Sequence, residues 1–196
     1  MSNSRGAAKV LRALLAADDI VVAPGCFNAM GARIIERTGF STVYISGYGI
    51  SVSHIGLPDV GLTTLTEVTD VASKVASSVR VPVICDADTG YGNAINVMRT
   101  VEEFIKSGVS GIHLEDQIAP KRCGHVAGKQ VIPLDEAAGK IRAAARVRDE
   151  IDPDFVLIAR CDARGVAGGS LEDAINRCRA YREAGADVAF PEGLLS

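Results

Sequence analysis

The 196-residue chain has no tryptophan, and aromatic residues make up only 5% of it. It has no apolar run near the ~20 residues that a membrane-spanning helix needs, which sets a membrane-spanning role aside. Residues 1–9 (MSNSRGAAK) lack the apolar stretch of a secretory signal. The five cysteines, Cys26, Cys85, Cys123, Cys161 and Cys178, are odd in number, widely spaced and without a Cys-x-x-Cys pair. That pattern argues against a disulfide framework or a zinc site and for a reducing cytoplasm. Positive charge is not in excess: a net charge of -3 gives no electrostatic reason to expect nucleic acid or an anionic membrane as partner.

What is there is apolar and glycine-rich, with 47% hydrophobic residues and 20 glycines. This suits one globular domain over residues 1–196 with a sizeable core. Six short apolar runs read as strands: Ile20–Gly25, Thr42–Ile45, Val81–Cys85, Gly111–Leu114, Phe155–Ala159 and Val188–Phe190. Between them lie helical patterns over 28–37, 64–78, 95–106, 134–149 and 170–184, with a first helix over 7–17. Thr64-x-x-Glu67 looks like a capping box, and residues 46–62 read as a long polar, glycine-rich loop.

A weak repeat recurs at 37–46, 106–115 and 183–192: a helix end, a glycine, a short strand and a polar residue at the strand exit. Strands alternating with helices imply parallel pairing by crossovers. The first strand is not followed by Gly-x-Gly-x-x-Gly, so a dinucleotide-binding open sheet loses support. Polar residues at the C-terminal ends of nearly every strand favour a (β/α)8 barrel, whose active sites lie there. Such a barrel typically takes ~250 residues, so only about six βα units are expected here. Either the chain is truncated, or another subunit or a domain swap closes the ring.

Residues two apart on a strand share a face. Asp86 and Asp88 therefore point together, as do Tyr44 and Ser46, His113 and Glu115, and Arg160 and Asp162. Two aspartates and Glu115 converging on a barrel mouth would repel unless a cation holds them, and Mg²⁺ suits oxygen ligands. Asp59 is a candidate outer ligand; the plain alternatives are helix caps for the pair and a Pro-Asp turn for Asp59. Arg160 ends an apolar strand and needs a carboxylate, whether from a substrate, from Asp162 or from Glu192. Tyr44 to Gly47 offers a hydroxyl and amides for a second carboxylate; the plain alternative is an ordinary strand-to-loop turn. His113 reads as a core histidine. No lysine falls inside a predicted strand, which disfavours a barrel-strand Schiff base.

Lys121-Arg122-Cys123-Gly124-His125 packs two cations, a thiol, a glycine and an imidazole into five residues. Neighbouring cations favour a thiolate, and such a cysteine serves as nucleophile or as acid and base. The plain alternative is a basic surface loop.

Together with 56–59 (GLPD), 86–92 (DADTGYG), 115–117 (EDQ) and 158–160 (IAR), this stretch resembles the isocitrate lyase and phosphoenolpyruvate mutase superfamily, in its 2-methylisocitrate lyase-like or dimethylmalate lyase-like branch. The resemblance runs from about Leu11 to the last residue. It implies a (β/α)8 barrel that uses Mg²⁺ or Mn²⁺ on keto or hydroxy dicarboxylates, and a homo-oligomer, a tetramer. Residues matching Asp59, Asp86, Asp88 and Glu115 would surround the metal, some through water. Those matching Tyr44, Ser46, Gly47 and Arg160 would hold the keto-acid end, with Lys121, Gly124 and Glu192 completing the substrate contacts. Cys123 would be the acid/base, with Arg122 and His125 beside it on a loop that closes over the substrate. The superfamily's mutases and decarboxylases generally lack this cysteine motif, so a carbon–carbon lyase is expected. An oxaloacetate hydrolase or decarboxylase, or an inactive truncated homologue, is the alternative. Three departures stand out: Tyr48 where many methylisocitrate lyases have glycine, residues 126–130 (VAGKQ), and the lack of a C-terminal third that supplies two strands and a helix exchanged between subunits.

Overall fold

The computed structural model describes residues 4–124 and 126–194. Six strands alternate with helices: α1 (Ser4–Ala16), β1 (Gly25–Cys26), α2 (Ala29–Arg37), β2 (Val43–Ile45), α3 (Gly47–Ile50), α4 (Leu65–Ser78), β3 (Val83–Asp86), α5 (Ala94–Ser107), β4 (Gly111–Glu115), α6 (Leu134–Ile151), β5 (Val156–Cys161), α7 (Leu171–Glu183) and β6 (Val188–Pro191). All pairings are parallel and the sheet order is sequential, β1 to β6. This is the expected α/β architecture, a partial barrel. Among the described residues β1 pairs only with β2 and β6 only with β5.

Local sequence explains the helices. Thr64 and Glu67 form the expected capping box at the start of α4, and Asn93 and Asn96 form another at α5. On α5, Val97, Thr100, Val101 and Phe104 are buried at helical spacing, and Gly108 ends the helix in the left-handed conformation. Fully burying a side chain such as Phe104 contributes about 1.5–3 kcal/mol.

The sheet is apolar on both faces, as a helix-covered parallel sheet must be. Val43, Ile45, Cys85, Ile112, Leu114, Leu157 and Ala159 pack with the helices. Tyr44, Ile84, Val156, Ile158 and Val188 form a second cluster around Leu11 of α1. Arg12, next to it, donates to the carbonyls of Asp154 (2.8 Å) and Phe155 (3.0 Å) and pairs with Asp187 (2.9 Å). Helix α1 thus plugs the inner face at the N-terminal ends of β5 and β6, which leaves the C-terminal ends as the place where polar side chains converge.

Two expectations are corrected. The run Ile20–Gly25 is not a buried strand: only Gly25 and Cys26 pair, and Ile20 and Val22 are exposed. The register sets Gly25 opposite Tyr44, so the residues before Pro24 lie beyond the start of β2 and have no strand to bond. The segment from Ser46 is not all loop either. Ser46 accepts from the Gly49 amide and caps α3, which runs on into a π-helical turn at Ser51–Ile55.

Candidate active site at the strand ends

Asp86 closes β3 on its inner face, and its Oδ1 accepts from the Asp88 amide at 2.9 Å. Beyond it, Asp88 (φ 48°) and Tyr91 (φ 58°) hold left-handed backbones. Such non-glycine residues cost about 1–3 kcal/mol each and collect at functional sites. Gly47 comes so close to Asp86 that a Cβ there would stand 2.6 Å from Oδ2. Glycine is therefore needed at 47 for contact with the carboxylate.

Glu115 ends β4 and is buried, and neither of its carboxylate oxygens has a hydrogen-bond partner. Arg160 Nη1 stands 3.3 Å from Oε2. Burial pushes the Glu115 carboxyl well above the usual range, against the pull of Arg160. Burial, reinforced by Asp86, also raises Asp88 to about 6, while Lys121 opposes the shift. Lys121 is itself buried and bridges two acids, with its ammonium 2.5 Å from Asp59 Oδ1 and 2.7 Å from Asp88 Oδ1. Lys121 thus sits within the acidic cluster and helps to offset its charge.

His113 stays on the inner face beneath this cluster, with Nε2 2.7 Å from the Tyr44 hydroxyl and Nδ1 without a partner. Burial lowers its pKa, which favours the neutral ring.

Arg160 meets both of its expected partners. Its Nε and Nη2 grip Asp162 at 3.0 Å each, and Glu192 lies 3.6 Å from Nε. Asp162 occupies one edge of the guanidinium, and a guanidinium has five donors, so capacity remains on the side that lines the mouth. Asp162 is itself fixed, because its amide donates to Asp116 Oδ1 at 2.8 Å. The other Asp116 oxygen holds Tyr181 (2.6 Å) and Arg177 (3.3 Å) of α7.

The Cys123 segment is clamped at its base. Gln117 accepts from the Arg122 amide and donates to the Arg122 carbonyl, each at 2.9 Å. With its backbone held this way, Arg122 sends its guanidinium to the Ala127 carbonyl at 3.2 Å. Arg122 was expected beside the thiol, but its side chain is committed to its own loop and does not line the mouth. His125 lies outside the described residues.

A cavity of about 390 Å³ opens at this mouth. Strand ends contribute Tyr44, Ser46, Asp86, Arg160 and Glu192 to its lining, and loops contribute Asp59, Cys123 and Gly124. Asp88, Glu115, Lys121 and Gly47 stand behind this lining, in contact with Asp59, Arg160 or Asp86. Sequence reasoning missed Phe190, which lines the cavity under Arg160 with its ring centre 5.9 Å from the guanidinium carbon. It also missed the supports Asp116, Gln117 and Lys129. The run Glu115-Asp116-Gln117 at a strand exit was the available signal for two of them.

The donor set fits a hard divalent cation. All the candidates are carboxylates, and Glu115 Oε1 is buried without a partner, a costly state unless a charge or water fills it; Glu115 Oε2 and Asp88 Oδ1 face Arg160 at 3.3 Å and Lys121 at 2.7 Å. Among the described residues no three His, Cys, Asp or Glu side chains already form a ligand set. A hard divalent cation that keeps several waters needs only one or two of these carboxylates plus substrate oxygens.

Comparison with known proteins agrees with the geometry. The chain is 52% identical over 186 residues to 2,3-dimethylmalate lyase of Eubacterium barkeri, covering 93% of this chain and 63% of that protein. It is 51% identical to the chloroplastic carboxyvinyl-carboxyphosphonate phosphorylmutase of Arabidopsis thaliana, covering 91% and 53%. The solved structure of oxaloacetate acetylhydrolase in complex with 3,3-difluorooxalacetate matches with a TM-score of 0.93 at 43% identity, over 100% of this chain and 66% of that one. The chain thus spans between about half and two thirds of the length of these relatives. Residues 11–196 match the phosphoenolpyruvate phosphomutase family, and the chain belongs to the phosphoenolpyruvate mutase and isocitrate lyase superfamily.

Proposed function

We propose that this chain carries the active site of a metal-dependent carbon–carbon lyase that cleaves a 2-hydroxy di- or tricarboxylate, of the 2,3-dimethylmalate or 2-methylisocitrate type, into a keto acid and a dicarboxylate. The observation that carries the reading is the placement of Cys123 on the rim of the cavity that Arg160 and Asp86 also line. A proton donor, a carboxylate-binding cation and the Asp86 carboxylate then face one small volume, with Asp88 and Glu115 behind it. The relative named 2,3-dimethylmalate lyase supports the choice of reaction.

Asp86, Asp88 and Glu115, with Asp59 further out, would hold Mg²⁺ or Mn²⁺. When bound, the ion would supply Lewis-acid stabilisation of the developing oxyanion. The other tasks fall to the chain. Arg160, kept in direction by Asp162, and the Tyr44, Ser46 and Gly47 segment bind the carboxylate and carbonyl oxygens of the keto-acid half. The bond between the carbinol carbon and its neighbour breaks, the carbinol becomes the keto group with loss of its hydroxyl proton, and the electron pair stays on the departing dicarboxylate. The hydroxyl proton leaves to solvent at the open mouth, the Cys123 Sγ–H gives the carbanion carbon its proton, and the thiolate takes a proton back from solvent, so the products balance the substrate. Phe190 and Tyr48 line the same mouth beside these groups. The reading places a homo-oligomer, a tetramer, in the cytoplasm, a setting that five free cysteines fit.

One observation favours a second reaction at the same site. The match to oxaloacetate acetylhydrolase, at a TM-score of 0.93, fits hydrolysis of oxaloacetate. A product assay separates the readings. With Mg²⁺ and a panel of 2,3-dimethylmalate, 2-methylisocitrate, isocitrate and oxaloacetate, the lyase releases a keto acid plus a dicarboxylate from one of the hydroxy acids. Acetate plus oxalate from oxaloacetate alone would replace that reading with the hydrolase.

A further inference from the structure

We infer that Lys129 is a positioning residue for Cys123: its ammonium ties the Gly124 carbonyl to the carboxylate that also aims Arg160. Lys129 is buried, and its Nζ donates to the Gly124 carbonyl at 2.6 Å and to Asp162 Oδ1 at 3.0 Å. Arg160 Nη2 donates to that same Oδ1, also at 3.0 Å. One buried oxygen therefore receives both the cation that binds substrate and the cation that seats the loop.

The space for this arrangement is made by two glycines. A Cβ on Gly165, in the turn after β5, would stand 2.7 Å from Lys129 Nζ. A Cβ on Gly124 would collide with Arg160 Nη2. The Gly124 backbone thus lies directly on the guanidinium, one residue after Cys123. A buried ion pair is a poor source of stability compared with an apolar pair of similar volume. Its specific product here is a fixed seat for Gly124, and with it a fixed place for the Cys123 thiol on the cavity rim. The base of the segment is held separately, by Gln117 on Arg122 and by the ion pairs of Lys121, and Lys129 is the side chain that ties the Gly124 carbonyl to the strand-end carboxylate.

The thiol's placement follows from contacts alone; its catalytic consequence rests on the lyase reading above. The test uses Lys129→Met, which removes the donor, and Gly165→Ala, which leaves Lys129 in place but displaces its ammonium. Alkylation by iodoacetamide is followed at each cysteine by peptide mass spectrometry. Cys26, Cys85 and Cys161 are buried and report any general opening. Loss of a charge-assisted hydrogen bond predicts labelling of Cys123 about ten-fold faster in both variants, with the buried cysteines unchanged. Lys129→Arg, which keeps the charge and a donor, recovers part of the wild-type protection. Unchanged labelling of Cys123 in both variants, or a rise shared equally by the three buried cysteines, overturns the inference.

In an active preparation, kcat falls about ten-fold or more while KM stays within about three-fold, because Arg160 keeps Asp162. A rise in KM with kcat intact contradicts the positioning role. Labelling needs no turnover, so failure of the lyase reading and failure of the inference are told apart.

Discussion

Gly47 shows how much of this site depends on a single missing side chain. Its backbone lies against Asp86, and Gly47→Ala would set a methyl 2.6 Å from Oδ2. Binding of Mg²⁺ and oxalate should weaken at least ten-fold while melting stays near the wild-type temperature; calorimetric titration beside a thermal scan checks it. Arg160 makes a second prediction. Arg160→Lys keeps a charge but loses the bidentate grip on Asp162, so oxalate affinity should fall by about 1.5–3 kcal/mol. Affinity within a factor of two of wild type would show that the guanidinium does not hold the keto-acid end. The acids at strand exits were legible from alternation and from their place after apolar runs. Lys121 was legible as a member of its motif, but its ion pairs with Asp59 and Asp88 join three separate loops, and no local pattern encodes such a contact. Phe190 was hidden for a similar reason: as one apolar residue on a short strand, it reads the same whether it faces the helices or the cavity.

At the scale of elements, caps were read well and edges poorly. The Thr64 and Glu67 capping box is a local signal with a local cause, and it forms as expected. Thr64→Ala should cost about 1 kcal/mol. Glu67 adds a pH dependence of definite sign. Its bonds to Thr64 hold its carboxyl below the ordinary 4.5. The unfolded chain therefore takes up the proton first, and the contribution is present above pH about 4.5 and disappears as pH falls through the lower folded value. Melting curves should separate wild type from Glu67→Gln at pH 7 and bring them together near pH 3; a gap that widens on acidification would reverse the sign. The misread first strand has a tertiary cause: Ile20 to Ala23 has β-favouring residues, but the register gives it no partner on β2. Likewise, the segment after Ser46 looked like loop because its glycines and serines are weak helix formers. It coils because Ser46 caps it and Gly47 must lie against Asp86.

The whole molecule is a sheet curled around two contents, an apolar plug at one end and a polar mouth at the other. The plug was not foreseen as such: the pattern over residues 7–17 marks a helix but not where its apolar stripe docks. Leu11→Ala removes a fully buried side chain from against Ile84, Val156 and Ile158 and should cost about 2–5 kcal/mol, seen as a lower melting temperature with the mouth chemically intact. On the outer side of β6 and α7, a groove of about 490 Å³ is lined by Leu171, Ile175, Cys178, Pro191 and Leu194. The relatives continue beyond the span that this chain matches.

The central claim, that Cys123 protonates a carbanion released at the Arg160 mouth, is tested most directly by Cys123→Ser. Turnover and oxalate binding are measured on one preparation with Mg²⁺. The account predicts that keto-acid release falls about 10²–10⁴-fold, while oxalate binds within two-fold of wild type. Full keto-acid release by the serine variant would contradict it.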